Sequence, residues 1–350
     1  MKSIFERVKI QQKLHLPFVI YRKPNSKTLI GIFQKDDHLY FSEDFTEKGF
    51  VFAPFSGAAV CFPFEKSEVK FNTIYFKNNT EVTHHVETLL DEKDKFESLV
   101  EKGVEVIKTG ICNKIVLSRK EIVAIEDFDM ETTFEKMLHT YLSAFCYCWF
   151  HPKIGLWMGA SPEQLFKAKE FKFHTMALAG TQLYTGDETV LWKNKERKEQ
   201  EFVTEFILDK LKKESQEVKI SEPYTTRAGN LLHLRTDIDG VLNQDANLKN
   251  VIDILHPTPA VCGLPKDLAK AFIEQNEGYD REFYTGFLGE INLDYTTNEI
   301  ATDLYVNLRC MKVEEKKANL FIGCGITKDS KPAHEWEETV NKAKTMKHIL

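Results

Sequence analysis

Glu196 and Glu199 stand three residues apart in KERKEQE, and Glu335 and Glu338 do the same in AHEWEETV. Side chains three apart on a helix share one face. Each pair can therefore present two carboxylates to one point. Two such pairs on facing helices would make an oxygen-rich site for a hard cation such as Mg2+, which keeps several waters and takes one or two protein carboxylates plus substrate oxygens. The same residues also have an ordinary reading. Acidic side chains are favoured in first helical turns by the helix dipole. Glu338 and Lys342 form a common i,i+4 pair, and KNKERKEQE suits a solvated face. Spacing alone leaves both readings open.

The elements that must carry the pairs are two helices, over 189–213 and 330–350. Around them, residues 1 to about 90 read as a meander of antiparallel strands: short β-type runs such as HLPFVIYRKP, KTLIGIFQKD and VKFNTIYF, broken by turns. Helical spacing predicts a helix near DKFESLVEKGVEVIKTG, stopped by Gly110, and others over 132–146, 247–256 and 264–275. KIVLSRKEIVAI, CYCWFHP, GLWMGAS, LFKAKEFKFHTMALAGT, FYTGFLGEINLD, ATDLYVNLRCMKV and KANLFIGCGIT read as strands. KKESQEVKISEP is the most linker-like piece. Strands come in runs rather than in βαβ alternation, which predicts an α+β fold with large antiparallel sheets.

The chain has 350 residues and a formal net charge of -6, which gives no nucleic-acid footprint. Its start, MKSIFERVKIQQK, has no apolar core of the secretory type, so a cytoplasmic protein is expected. The most apolar run, FAPFSGAAVCFPF, is short and broken by two prolines, so no membrane span is expected. The seven cysteines lack paired metal spacing and read as reduced thiols, Cys146 and Cys148 as small buried hydrophobes.

In order, the chain carries NKIVLSRK, GASPEQLF, ALAGT, KERKEQEFV, LLHLRTDIDG, LHPTPAVCGLP, DREFYTGFLGEI, LYVNLRC, GCGI and KPAHEWEETVNKAK. Together these resemble the chorismate-utilising family: isochorismate synthases, salicylate synthases, and the large subunits of anthranilate and aminodeoxychorismate synthases. The resemblance implies an anthranilate synthase component I-like fold, with antiparallel sheets flanked by helices and a central active-site cleft. It implies one chorismate-binding domain over 1–350, with a β-rich part over 1–100 and a motif-bearing catalytic part over 101–350. It also implies Mg2+, with Glu199 and Glu338 as direct ligands and Glu196 and Glu335 acting through water.

Further roles follow from the same resemblance. Lys114 matches the general base, and burial must lower its pKa for that work. Glu163 matches the general acid, and burial must raise its pKa. The Ser-Pro before Glu163 reads as a turn that aims it into a cleft, although Ser-Pro-Glu is also an ordinary helix start. Arg309, read in a strand that faces it inward, matches a substrate-carboxylate binder helped by Tyr284. Gly323 and Gly325 would allow close approach to the substrate. Gly180 and Thr181 match the family's AGT, and His233 is either a substrate contact or a structural histidine.

Two positions discriminate among members. Amine-transferring relatives have Gln where this chain has Lys114, so water is the expected nucleophile and no amidotransferase subunit is expected. Ala260 stands where relatives that also eliminate pyruvate carry Thr. The expectation is therefore a monomeric, Mg2+-dependent isochorismate synthase, placed in menaquinone biosynthesis. A salicylate synthase or a siderophore-pathway isochorismate synthase is the alternative. Gln182, Cys262 and Cys324 depart from the usual motif residues by small or neutral changes.

Overall fold

The computed structural model describes residues 2–75, 88, 92–187, 189–229 and 231–350. In chain order its elements begin with α1 (Lys2–Lys13), β1 (Phe18–Arg22), β2 (Thr28–Gln34), β3 (Tyr40–Ser42), β4 (Gly49–Ala53), β5 (Ala59–Pro63), β6 (Ser67–Thr73) and α2 (Lys93–Lys108). Next come β7 (Lys114–Ala124), α3 (Met130–Thr140), β8 (Phe145–His151), β9 (Gly155–Ser161), β10 (Gln164–Lys169), β11 (Lys172–Leu183) and α4 (Asn194–Leu211). The rest are β12 (Ser215–Ile220), β13 (Tyr224–Ala228), β14 (Leu231–Leu242), α5 (Leu248–Leu255), β15 (Gly263–Leu264), α6 (Lys266–Asn276), β16 (Phe287–Ile291), β17 (Ala301–Val306), β18 (Cys310–Glu314), β19 (Lys317–Ile326) and α7 (Pro332–Lys347).

Alternation along β8 shows how these elements stack. Phe145, Tyr147 and Trp149 join an aromatic cluster with Phe50, Phe52 and Phe62 of the other sheet, while Cys146 and Cys148 face the layer of α1 and α3. Both faces of this strand are thus buried, as its near-continuous apolar run requires. The first sheet runs β15-β7-β19-β18-β9-β8-β1-β2-β6, and the second runs β12-β14-β11-β10-β17-β16-β4-β5-β3 with β13 added on β14. The described ladders are antiparallel. Helices α4 and α5 cover the outer face of the second sheet, and α2, α6 and the start of α7 pack against β7 and β19. The α+β expectation holds, with helices outside two sheets packed face to face.

Several local expectations are corrected. The opening residues fold as α1, whose Ile4, Phe5 and Val8 are buried. Their spacing is helical, though five of the twelve residues of α1 are charged. The early strands do not form one meander, because β1, β2 and β6 join the first sheet and β3, β4 and β5 join the second. The linker-like KKESQEVKISEP contains edge strand β12, whose exposed polar residues hide the alternation. LFKAKEFKFHTMALAGT is two strands, turned at Glu170 with φ 55. Helix α3 ends at Thr140, and Phe145 already lies in β8. Helix α4 starts at Asn194, later than 189. The seven cysteines are all buried and free.

Trp149 carries much of the contact between the sheets. Its ring stacks on Phe62 at 5.4 Å and meets Phe52 edge-on at 5.1 Å. Trp149→Ala should cost about 3–5 kcal/mol, read as a lowered midpoint in urea unfolding. A midpoint unchanged from wild type would mean that the sheets are held together elsewhere.

Candidate active site

The carboxylate pairs ride on the buried stripes of their helices. In α4, Glu199 shares the stripe of Val203, Phe206, Ile207 and Leu211. In α7, Pro332 opens the helix at a position where no hydrogen bond is lost, and Glu335 shares the stripe of Thr339, Ala343 and Met346. Packing the apolar residues therefore drives Glu199 and Glu335 inward as well. Lys195, one turn before Glu199, meets both: its Nζ lies 2.5 Å from Glu335 Oε1 and 3.7 Å from Glu199 Oε1.

Lys114 opens β7, is 1% exposed, and places Nζ 4.0 Å from Glu199 Oε2. Burial lowers its pKa, Glu199 opposes that shift and Lys342 adds to it. Glu163 lies in the turn between β9 and β10 rather than in a helix. The Ser161 hydroxyl donates to the Val306 carbonyl at 2.5 Å and accepts from the Glu163 N–H at 3.3 Å. The turn is thereby pinned to the end of β17. Burial pushes the Glu163 carboxyl up to about 8, against the pull of Lys114 and Arg309.

Arg309 does not lie in a strand. The segment 307–309 carries the chain from β17 in the second sheet to β18 in the first. Arg309 turns there with φ 49, a conformation that non-glycine residues rarely adopt. Its carbonyl accepts from Ala160 N–H at 3.0 Å, and its Nη2 donates to His233 Nε2 at 3.5 Å. The Nδ1–H of His233 donates to the Gly180 carbonyl at 2.8 Å. A carbonyl can only accept, which fixes the tautomer. Burial, then Arg309, hold His233 down to about 3, so the ring is neutral. Gly180 and Thr181 occupy a β-bulge, where the register of β11 on β14 shifts between Ala179 and Gln182. Gly180 adopts φ 73 there.

Every residue given a catalytic, substrate-binding or metal role from sequence lines one cleft, except Glu196 and Glu335. Glu335 stands just behind the wall through Lys195. Glu196 is half-buried, with its Cβ beneath Gly180. The glycines of β19 serve the protein's own side chains. A Cβ on Gly325 would come 2.9 Å from Lys114 Cε and 3.0 Å from Glu199 Oε2, and one on Gly323 would come 2.7 Å from Tyr284 Oη. Lys342 is the wall residue that the sequence reading passed over. Its Nζ donates to the Gly323 carbonyl at 3.0 Å and meets Glu338 Oε1 at 2.7 Å. Its i,i+4 spacing from Glu338 was the available signal. Burial works to raise the Glu338 pKa, but Lys342 and Lys195 prevail and hold it low. Burial pushes Glu199 up to about 7 despite Lys114 and Lys195.

Among the described residues, no three His, Cys, Asp or Glu side chains gather as a ready-made metal cage. A two-carboxylate Mg2+ site, completed by water and substrate, does fit. Glu199 and Glu338 face the cleft, and the buried oxygens Glu335 Oε2 and Glu196 Oε2 have no hydrogen-bond partner. Such orphaned acceptors suit a cation or its waters.

The family model described as chorismate binding enzyme matches residues 64–350. The chain belongs to the chorismate-binding enzyme family. Among its relatives is the isochorismate synthase EntC of Escherichia coli K12, 30% identical over 274 residues that span 75% of this chain and 68% of that protein. A solved structure of MenF, the menaquinone-specific isochorismate synthase from Escherichia coli, matches with TM-score 0.79 and 22% identity over 95% of this chain and 88% of that one. Anthranilate synthase component I from Streptococcus pneumoniae matches with TM-score 0.70 and 19% identity over 94% and 90%. These two structures establish the anthranilate synthase component I-like fold.

In this chorismate-binding enzyme the contacts of Gly325 yield a test. Gly325→Ala should displace Lys114 and Glu199 by a few tenths of an ångström and lower kcat by about tenfold or more, with Tm within a few degrees of wild type. A fully active variant would mean that the spacing of these two side chains is not critical.

Proposed function

We propose that this enzyme is an isochorismate synthase, adding water at C2 of chorismate as the C4 hydroxyl leaves. The reading is carried by one observation: Lys114 and Glu163 are buried in the same cleft with their pKa values moved in opposite directions, down for Lys114 and up for Glu163. A lysine must be neutral to act as a base, and a carboxyl must be protonated to act as an acid. Lys114 takes a proton from the attacking water. Glu163 gives its proton to the departing hydroxyl, which is too poor a leaving group as hydroxide. One water enters and one leaves, so the net change is an isomerisation. Arg309, fixed at the crossing between the sheets, offers its guanidinium fork to a substrate carboxylate, with Tyr284 beside it. Neutral His233 accepts from Arg309 and aims it.

Glu199 and Glu338 would hold Mg2+, with Glu335 and Glu196 behind them. When bound, the ion supplies positive charge for a substrate carboxylate. The enzyme reads as a cytoplasmic monomer without an amidotransferase subunit, because Lys114 suits water rather than ammonia. Ala260, with no hydroxyl on the wall, favours release of isochorismate over pyruvate elimination. Menaquinone is the proposed destination, as the commonest housekeeping use. A deletion strain that keeps menaquinone but loses a catechol siderophore would reassign it.

The deciding assay incubates the protein with chorismate and Mg2+, with and without EDTA, and separates the products. Isochorismate without pyruvate, lost on chelation, is expected. Salicylate with pyruvate would make the enzyme a synthase–lyase instead. Lys114→Ala should abolish turnover while leaving Mg2+ binding intact. Glu338→Gln should raise the Mg2+ requirement, and an unchanged titration would remove Glu338 from the metal site.

The pH profile follows from the two shifts. Glu163 works as an acid only while protonated, so forward kcat should fall as pH rises through about 8. Neutral Lys114 is favoured at higher pH, so the acidic limb should rise. Glu163→Gln should remove the basic limb and lower kcat by about 10²- to 10⁴-fold. A variant that keeps the basic limb would assign it to another group.

A further inference from the structure

Behind the cleft lies a buried ion pair that the chemistry above does not use. Arg281 and Glu277 are 2% and 5% exposed, and neither lines the cleft. Arg281 donates from Nε to Glu277 Oε2 at 2.7 Å and from Nη2 to Glu277 Oε1 at 2.5 Å. Its second Nη2 hydrogen goes to the Val116 carbonyl at 2.7 Å. Nη1 donates to the Val261 carbonyl at 3.0 Å and to Thr285 Oγ1 at 3.2 Å. All five donors of the guanidinium are thereby engaged. Its plane also packs over Phe55, 4.7 Å from the ring centre.

The three partners other than Glu277 share one property: Val116, Val261 and Thr285 all line the cleft. Val116 stands two residues after Lys114 on the same face of β7. Val261 follows Ala260. The Thr285 hydroxyl donates onward to the Tyr284 carbonyl at 2.6 Å, and Thr285 itself sits at φ 60. Glu277 holds the same strand a second time. Its Oε1 accepts from Ser118 N–H at 2.7 Å and from Ser118 Oγ at 2.9 Å.

We infer that the Glu277–Arg281 pair is a positioning clamp for the reaction. One guanidinium sets the mutual placement of the Lys114 strand, the Ala260–Val261 loop and the Tyr284 turn. A buried ion pair adds little stability compared with well-packed apolar residues, so stability alone gives weak grounds for placing one here. Holding three wall segments in register is work that a planar, five-donor fork can do and a lysine cannot. Arg309, His233 and Glu163 lie outside the clamp's contacts. Tyr284 is reached one step removed, through Thr285 and its own carbonyl, whereas the Lys114 strand is gripped directly, so loosening the clamp should disturb the base more than the binding of substrate carboxylate.

The test rests on the reading of Lys114 as base, and turnover of Lys114→Ala beside wild type in the same assay reports on that reading separately. Arg281→Lys keeps the charge and loses the fork. Its kcat should fall by about tenfold or more while KM stays within about threefold. Arg22→Lys is the control. Arg22 is also buried, donates to the carbonyls of Tyr141, Leu142 and Ala144, and touches no wall of the cleft. It should lower Tm and leave kcat unchanged. If Arg281→Lys behaves as Arg22→Lys does, the pair is structural only and the inference is overturned. Ser118→Ala removes a hydrogen bond to Glu277 and one shared with Tyr279 Oη without touching a charge, and decides the matter should Arg281→Lys not fold. A fall in kcat of about threefold at unchanged Tm supports the clamp, and an unchanged kcat overturns it.

Discussion

Lys195 joins the two helices on which the cleft depends. Its ammonium lies between Glu335 of α7 and Glu199 of α4, and Glu199 in turn faces Lys114 of β7. Remove that cation and two mostly buried carboxylates on opposing helices are left without it, which burial penalises. The chain of alternating charges continues through Glu338 and Lys342 to the Gly323 carbonyl. Helices, β7 and the glycine strand are thus tied to one another largely by groups that line the cleft, with Lys195 just behind them. The clamp formed by Glu277 and Arg281 repeats the principle one layer deeper.

This arrangement has a thermodynamic cost. The folded pKa values of Glu163 and Glu199, about 8 and about 7, lie above the unfolded value of about 4.3. Between those values the folded chain holds protons that the unfolded chain has released. Unfolding free energy therefore declines as pH rises through that window. The shift that keeps Glu163 protonated near neutral pH is the same one that weakens the fold there.

Much of the site was legible from sequence because its parts are motif residues whose chemistry constrains their type. Lys114, Glu163, Arg309, Glu199 and Glu338 stand in the motifs that carry the family resemblance, and the fold gathers them on one cleft. The assignment of Arg309 to a strand failed because β17 and β18 read as one apolar run, while the crossing between sheets is set by tertiary packing. The role of Gly323 and Gly325 was half legible. The need for space could be read, but what fills it, Tyr284, Lys114 and Glu199, arrives from distant elements. Lys342 reads as half of an ordinary i,i+4 pair and Lys195 as part of a solvated face, since spacing does not reveal which side of a helix is buried. The two-sheet division of β1 to β6 was hidden for the same reason: alternation gives faces, not partners.

The walls of the cleft come from segments spread between Lys114 and Lys342, and α7 supplies the last of them. On the ribosome, β7 is made long before α7. A nascent chain that has reached β19 already carries Lys114 and Lys195, but Glu335, Glu338 and Lys342 have yet to be added. At that stage Lys195 lacks the carboxylate that it meets most closely. Without α7 the strands of both sheets would lack Glu338 and Lys342 on the cleft wall. The cleft is complete only once the sixteen residues of α7 dock against α2 and β19.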